Sequence, residues 1–394
     1  MSAPVEKFKK GQRLTVAIEK LSIGGRGVAR HHGLVLFVGN VAPGDEAEIE
    51  LTMVKKNFAE ARLVRVVKPS PQRVVPPCPV ALVCGGCSWQ QVAYPEQLRQ
   101  KRLLVEESLR KFSGFTVGDT TVSDVVPSPK EFRYRNRVQL HHAGPKIGFF
   151  ERGSHRIVDI DDCPITDERL AREIPRLRKE LAHQKQGRIE IYLDTENRFS
   201  QRVAGQASND EDAPLGSPFS QVNTEQNANL VSSVVDRAKV EAAQALVSCI
   251  YDFYAGSGNF TFALAKAFPG HDLVAVELNA TSVQDGKNRA AAEAPRVRFE
   301  ASDVGGFLAR EKMPEGSLVL LDPPRTGCGP EVMASILGQK PVAVLYVSCH
   351  PATLARDLKP AMEAGYELAQ VVPFDMFPQT DHVEVFAVLR APRT

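Results

Sequence analysis

Ser248-Cys-Ile-Tyr-Asp-Phe-Tyr-Ala-Gly-Ser-Gly-Asn-Phe-Thr261 reads as a buried strand, a glycine turn and the start of a helix. Gly256 and Gly258 let the backbone approach a ligand closely at that helix N-terminus. The strand-then-helix pattern continues downstream. Strands are expected at Ser248–Tyr254, Asp272–Glu277, Val297–Ala301, Ser317–Asp322, Val342–Ser348, Tyr366–Phe374 and Val383–Leu389, with helical stretches between most of them. Such alternation predicts an α/β domain over residues 216–394, a parallel sheet with helices on both faces. The last two strands are joined too briefly for a crossover helix, so they should pair antiparallel at one edge.

In open α/β sheets ligands and chemistry collect at the C-terminal edge of the strands. Glu277 ends the second strand, nineteen residues past Gly258. A carboxylate there can accept both ribose hydroxyls of an adenosine. A dinucleotide fingerprint wants a third glycine where Thr261 stands. An adenosyl-sulfonium such as S-adenosylmethionine has no pyrophosphate to hold. The fourth strand ends in Leu321-Asp-Pro-Pro-Arg325, and its two prolines stiffen the chain and donate no N–H. That pattern is typical of methyltransferases acting on planar nitrogen or carbon bases, so a methyltransferase outweighs a dehydrogenase.

Val344-Leu-Tyr-Val-Ser-Cys-His-Pro351 puts Cys349 at the tip of the fifth strand, beside a helix start that favours thiolate over thiol. The bland alternative is a buried structural cysteine, the commoner fate of a lone thiol. Thiolate chemistry has a specific use at such an edge. Pyrimidine C5 is a poor nucleophile. A thiolate adding to C6 turns the ring into an enolate, and C5 can then take a methyl group from a sulfonium. A base must next remove the C5 proton so that the thiol leaves. Glu384, in Asp381-His-Val-Glu384 at the start of the seventh strand, ranks first as that base, ahead of His350 and His382. Asp322 neighbours Cys349 in such a sheet. Cys328, on a glycine-rich loop, is the rival nucleophile but lacks a strand-end position. Cys249 begins a buried strand and reads as structural.

Residues 1–67 read as five short alternating strands with turns at Gly24-Gly25 and Pro43-Gly44-Asp45. That length suits a small closed barrel of the OB type. Lys9, Lys10, Arg26, Arg30, Lys55 and Lys56 would suit a polyanion, although solvated cations are normal on any small barrel. A proline-rich joint, Lys68-Pro-Ser-Pro71, opens a central α+β segment, residues 68–215, with a helix from about Pro95 to Phe112. It closes in the acidic, polar stretch Ser208–Ser217, read as a loop or boundary. Lys130-Glu-Phe-Arg-Tyr-Arg-Asn-Arg137 interleaves aromatics with arginines. At strand spacing Arg133, Arg135 and Arg137 share one face, suited either to RNA phosphates or to an ordinary solvated edge.

Seven cysteines in a long chain with no apolar leader argue for metal binding or catalysis over disulfides. Cys78, Cys84 and Cys87 with a distant Cys163-Pro164 form a three-plus-one pattern. Structural zinc sites usually use two paired knuckles, so the spacing favours a [4Fe–4S] centre and leaves zinc open. Apolar residues make up 43% and charged ones 24% of 394, an ordinary globular balance. No apolar run reaches membrane length, and the N-terminal residues lack a signal-peptide core. The expectation is a cytoplasmic monomer with no membrane association and no obligate protein partner. The net charge of +2 says little. Local charge says more: residues 1–68 hold twelve Lys and Arg against seven Asp and Glu, and Lys130–Arg156 holds seven against two.

Ser348-Cys-His-Pro-Ala-Thr-Leu-Ala-Arg-Asp357 resembles the motif of the RNA uridine-C5 methyltransferases, as do Phe219-Ser-Gln-Val-Asn223, Asp322-Pro-Pro-Arg325 and His382-Val-Glu384. The resemblance spans essentially the whole chain. It is nearest to the 23S ribosomal RNA members that carry an N-terminal TRAM barrel and a [4Fe–4S] cluster, with transfer RNA as the alternative substrate. It implies a Rossmann-like class I methyltransferase domain, Cys349 as nucleophile and Glu384 as base. It implies Cys78, Cys84, Cys87 and Cys163 as cluster ligands. Gln221, Tyr254, Asn259, Glu277, Asp303 and Asp322 fall where members bind S-adenosylmethionine or shape the site, alongside Gly256 and Gly258. Many members have Asn where this chain has His350, and an aromatic-Cys pair where it has Tyr254-Ala255. The rival readings are an iron–sulfur oxidoreductase using a dinucleotide and a non-enzymatic RNA-binding factor.

Overall fold

Apolar residues at every second position build the N-terminal strands β1 (Arg13–Ala17), β2 (Lys20–Leu21), β3 (Gly27–His31), β4 (Leu34–Val38), β5 (Glu46–Val54) and β6 (Phe58–Lys68). Their sheet order is β1-β5-β6-β4-β3-β2, with β4 and β6 parallel and the other pairs antiparallel. Val16, Ile18, Leu36, Val38, Ile49 and Leu51 fill the core. The single strand expected over Arg13–Lys20 is two strands. Ile18 N–H donates to the Asp45 carbonyl and Glu19 N–H to that of Val28, so the chain changes partner there. Because β1 and β2 follow each other closely yet lie at opposite ends of the sheet order, the sheet must curl back on itself.

The computed structural model describes residues 8–112, 122–194, 196–203 and 221–392; Ser208–Ser217, Phe219 and Ser220 lie outside them. The chain forms two compact units. The first comprises Met1–Gln100, Lys130–Leu215 and Phe377–Asp381, and the second Lys101–Pro129, Gly216–Met376 and His382–Thr394.

Helix α1 (Tyr94–Phe112) precedes the central strands β7 (Arg137–Ala143), β8 (Lys146–Phe150) and β9 (Ile157–Asp159). Short helices α2 (Glu168–Ala171) and α3 (Ile174–Leu181) lead to β10 (Gly187–Leu193) and β11 (Phe199–Val203). The five strands form an antiparallel sheet in the order β11-β10-β7-β8-β9. Val138, Leu140, Ile147, Ile189 and Ile191 pack against Leu170, Ile174 and Leu177 of the helices. The arginine stretch departs from its expected strand geometry. Arg133 has φ +55°, and β7 starts only at Arg137. Arg133 and Arg135 instead pair backbone to backbone with Pro164 and Ile165. The Arg133 guanidinium makes a forked 2.7 Å pair with Asp162, so these arginines do not share a strand face.

The second unit holds α4 (Thr224–Gln244), β12 (Cys249–Phe253), α5 (Thr261–Ala267), β13 (Asp272–Glu277), α6 (Ala280–Glu293) and β14 (Val297–Ala301). It continues with α7 (Val304–Arg310), β15 (Ser317–Leu321), α8 (Pro330–Gly338), β16 (Ala343–Ser348), α9 (Pro351–Glu363), β17 (Glu367–Phe374) and β18 (Glu384–Arg390). All seven expected strands are present, each within a residue or two of its expected ends. The sheet order is β14-β13-β12-β15-β16-β18-β17. Five strands are parallel, and β18 runs antiparallel to both β16 and β17. Strand order reverses between β12 and β15, the switch point where such sheets open a crevice. β18 is apolar and buried from Val385 to Leu389. At its end Arg390 makes a forked pair with Glu241 of α4 at 2.9 and 3.0 Å. Among the described residues no helix is long and apolar enough to cross a membrane.

Candidate active site

The turn after β12 is held from below. Tyr254 and Ala255 both donate N–H to the Val276 carbonyl at the end of β13, at 2.9 and 3.1 Å. Tyr254 has φ +64°, a left-handed conformation that costs a non-glycine residue free energy and collects at functional sites. Gly258 has φ +96°, and a Cβ there would strike the Phe262 ring at 2.4 Å. At Gly256 an added Cβ would meet no atom within 4 Å, so the space over the turn is open. Glu277 spreads its carboxylate over this turn, accepting Gly256 N–H at 3.0 Å and Asn279 N–H at 2.7 Å. Asn259 and Asn227 exchange side-chain hydrogen bonds. Asp303 caps α7 by accepting Gly306 N–H at 2.7 Å, so its loop is ordered by a helix start that the sequence reading gave no motif. Gln221 is half-buried three residues ahead of α4.

Acidic groups line the neighbouring strand ends. Asp252 is fully buried, accepts the Thr261 hydroxyl at 2.5 Å and leaves Oδ1 without a hydrogen-bond partner. Burial, with the Glu277 charge behind it, pushes its carboxyl up to about 7. Asp322 lies beside Tyr254, because β12 and β15 pair Phe253 with Leu321. Burial and the Asp252 charge hold its carboxyl above the usual carboxylate range. Glu384 is 3% exposed, and burial and Asp322 raise it well above an ordinary glutamate.

The register of β16 and β18 pairs Ser348 with Val385. The next residues outward, Cys349 and Glu384, therefore come side by side. Burial, then the charges of Glu384 and Asp322, push the Cys349 thiol up to about 12, while Arg325 pulls it down. His350 caps α9, its Nδ1 accepting Thr353 N–H at 3.4 Å. Burial and Arg325 lower the imidazole's proton affinity, which keeps Nδ1 available as an acceptor. An Asn side-chain carbonyl would cap in the same way.

A second cluster in this unit escaped the sequence reading. The Asp357 carboxylate, fully buried on α9, collects the Tyr346 hydroxyl at 2.7 Å and the N–H groups of Cys328 and Gly329 at 2.9 and 3.3 Å. Arg356 closes it at 2.7 and 2.8 Å. Burial and Asp357 push the Cys328 thiol up to about 12. Its only advance signal was the Arg356-Asp357 pair after the Cys349 motif.

In the first unit Cys78, Cys84, Cys87 and Cys163 line one cavity of about 30 Å³. Burial raises the thiols of Cys78, Cys84 and Cys87, and the charge of Cys163 adds to each. Gly86 N–H points to the Cys84 sulfur at 3.4 Å. Among the described residues no group of three or more His, Cys, Asp or Glu side chains is arranged to hold a metal ion.

Residues 7–64 match the TRAM domain family, and residues 312–391 match the tRNA (uracil-5-)-methyltransferase family. An uncharacterized RNA methyltransferase of Bdellovibrio bacteriovorus is 41% identical over 390 residues, covering 96% of this chain and 95% of its own. The chain belongs to the family of these RNA methyltransferases and carries a uracil-5-methyltransferase domain. A second uncharacterized RNA methyltransferase, from Gloeobacter violaceus, is 33% identical over 98% of both chains. The chain also resembles the crystal structure of Pyrococcus abyssi tRNA (uracil-54, C5)-methyltransferase in complex with S-adenosyl-L-homocysteine. The TM-score is 0.70 at 26% identity, over 95% of this chain and all of that one. It is an enzyme that methylates RNA, an α/β methyltransferase fold behind an N-terminal TRAM domain of strands.

Proposed function

We propose that the enzyme transfers a methyl group from S-adenosylmethionine to C5 of one uridine in RNA, with Cys349 as nucleophile and Glu384 as base. The observation that carries this reading is the pairing of a thiol and a buried carboxyl at adjacent strand ends. Cys349 adds to C6 and is later expelled. Glu384, with its raised proton affinity, accepts the C5 proton that must leave before the carbon–sulfur bond breaks. Bound S-adenosylmethionine supplies an electrophilic methyl group. Gly256 leaves open space for its adenosine to approach, Gly258 lets the turn pack against Phe262, and the Glu277 carboxylate would take the ribose hydroxyls. Gln221, Tyr254, Asn259, Asp303 and Asp322 would line the remainder. What supports the donor is the open space over Gly256 and the S-adenosyl-L-homocysteine in the Pyrococcus abyssi relative.

The target uridine must leave its stack to reach a half-buried thiol, so base flipping belongs to the reading. We assign 23S ribosomal RNA as substrate on the combination of TRAM barrel and cysteine quartet, with the transfer RNA T-loop as the competing target, acting in the cytoplasm. The divisions at residues 67 and 215 go with this assignment. The four thiols fit a [4Fe–4S] cluster in donor chemistry, since all line one cavity. Methyl transfer from a sulfonium moves no net electrons, so the thiols' role is to tie residues 78–87 to the strand segment near 163.

RNA carrying 5-fluorouridine tests the function. With S-adenosylmethionine present it should form a denaturation-resistant adduct through Cys349, since fluorine at C5 blocks proton removal. No adduct with any cellular RNA counts against the reading. Mapping 5-methyluridine in a deletion strain decides between 23S and transfer RNA. Cys84→Ala should lower iron content, melting temperature and RNA affinity together. An iron-free variant with unchanged stability and affinity would sink the stapling role.

A further inference from the structure

We propose that Arg325 is the cation that favours the thiolate of Cys349, and that Asp357 holds Arg325 there by anchoring its loop. This rests on Cys349 being the nucleophile. The charged groups around that thiol come from two segments besides its own: the start of β18, set beside it by the strand register, and the turn after β15, tied by Arg325 to Thr353 on the one side and His382 on the other. Glu384 starts β18, Asp322 follows β15, and Arg325 sits three residues further on. Two carboxylates oppose a thiolate and one guanidinium supports it. His350, on the thiol's own segment, is committed as an acceptor to Thr353 N–H and supplies no charge. His382 lies against Arg325 Nη2 at 3.4 Å. Among the described residues Arg325 makes no ion pair of its own, so its charge is available to the sulfur.

The loop carrying Arg325 is fixed at several points. The Thr353 hydroxyl, on the first turn of α9, donates to the Arg325 carbonyl at 3.1 Å. Arg356 reaches the Thr326 carbonyl at 2.7 Å. Cys328 and Gly329 donate to Asp357. The loop passes so close above that carboxylate that a Cβ at Gly327, where φ is +76°, would lie 2.2 Å from it. Asp357 has no route to the reacting atoms. It acts as a positioning residue, binding the loop to the helix that follows Cys349.

The rate at which iodoacetamide alkylates Cys349 tests this in the intact enzyme, without RNA or methyl donor. Site-resolved mass spectrometry gives the rate at fixed pH. Arg325→Met should react about tenfold more slowly, the loss of thiolate expected when one nearby opposite charge goes. Arg325→Lys should recover most of the wild-type rate. Asp357→Asn should slow the reaction in the same direction. If that variant melts early, Thr353→Val, which frees the Arg325 carbonyl together with that of His350, replaces it. Equal rates for Arg325→Met and wild type overturn the proposal, even where RNA affinity falls, because Arg325 is then a phosphate contact. Equal slowing by Met and Lys overturns it too, since packing rather than charge is then responsible. The underlying reading fails separately, through a Cys349→Ala enzyme that still methylates uridine.

Discussion

Cys349 and Cys328 are both pushed up to about 12 by burial and neighbouring carboxylates, yet they relate to those carboxylates in opposite ways. Cys328 is buried and its S–H points at Asp357 Oδ2, 3.5 Å away, among bonds from Tyr346 and the loop backbone. Its proton has an acceptor, and removing it would set two anions side by side. Cys349 is half-buried at a strand tip, where the charges of Glu384 and Asp322 oppose its thiolate and that of Arg325 favours it. Burial alone therefore does not mark a nucleophile. A thiol that already donates is structural, while one whose anion has a cation beside it is poised to react.

The largest expected effect breaks or keeps this contrast outright. Cys349→Ala should lower methyl transfer by about 10⁴-fold or more, as loss of a covalent nucleophile does. Cys328→Ala should keep most of the activity and cost about 1 kcal/mol in stability. Reversed outcomes in a methylation assay and a thermal melt would exchange the two assignments. Next in size is Glu384→Gln. Without a proton acceptor, ordinary uridine should accumulate as a covalent adduct on Cys349, visible on a denaturing gel, while turnover falls about 10²- to 10⁴-fold. Turnover close to wild type would move the base elsewhere. The smallest effect concerns Asp252, whose folded carboxyl sits near 7. A raised folded value gives stability that is present below the unfolded carboxylate range and is lost as pH rises towards 7. Asp252→Asn cannot titrate. Its melting temperature relative to wild type should climb between pH 4 and pH 8; a constant difference would mean that Asp252 is ionised throughout.

The parallel sheet was legible because its strands are near-continuous apolar runs separated by helical stretches, a signal that survives without knowing any contact. Cys349, Glu277 and Asp322 were legible for the same reason: each ends such a run. The arginine stretch was not. Alternation in Arg133–Arg137 imitates a strand, but Arg133 bends to the left and pairs with Asp162, a partner far along the chain. Arg13–Lys20 likewise reads as one strand because nothing local announces that Ile18 and Glu19 bond to different neighbours. Asp357 was hidden because its importance lies in four groups gathered from three separate segments.

The ion pair between Arg390 and Glu241 has a consequence at the far end of β18. Val385–Leu389 is apolar throughout and covered on both faces, so hydrophobic alternation cannot tell one alignment with β16 from another shifted by a residue. A one-residue slip would carry Glu384 to the opposite side of the sheet and put a valine beside Cys349. What resists the slip is a charged residue anchored on α4, six residues and roughly 20 Å from the carboxyl it keeps beside Cys349.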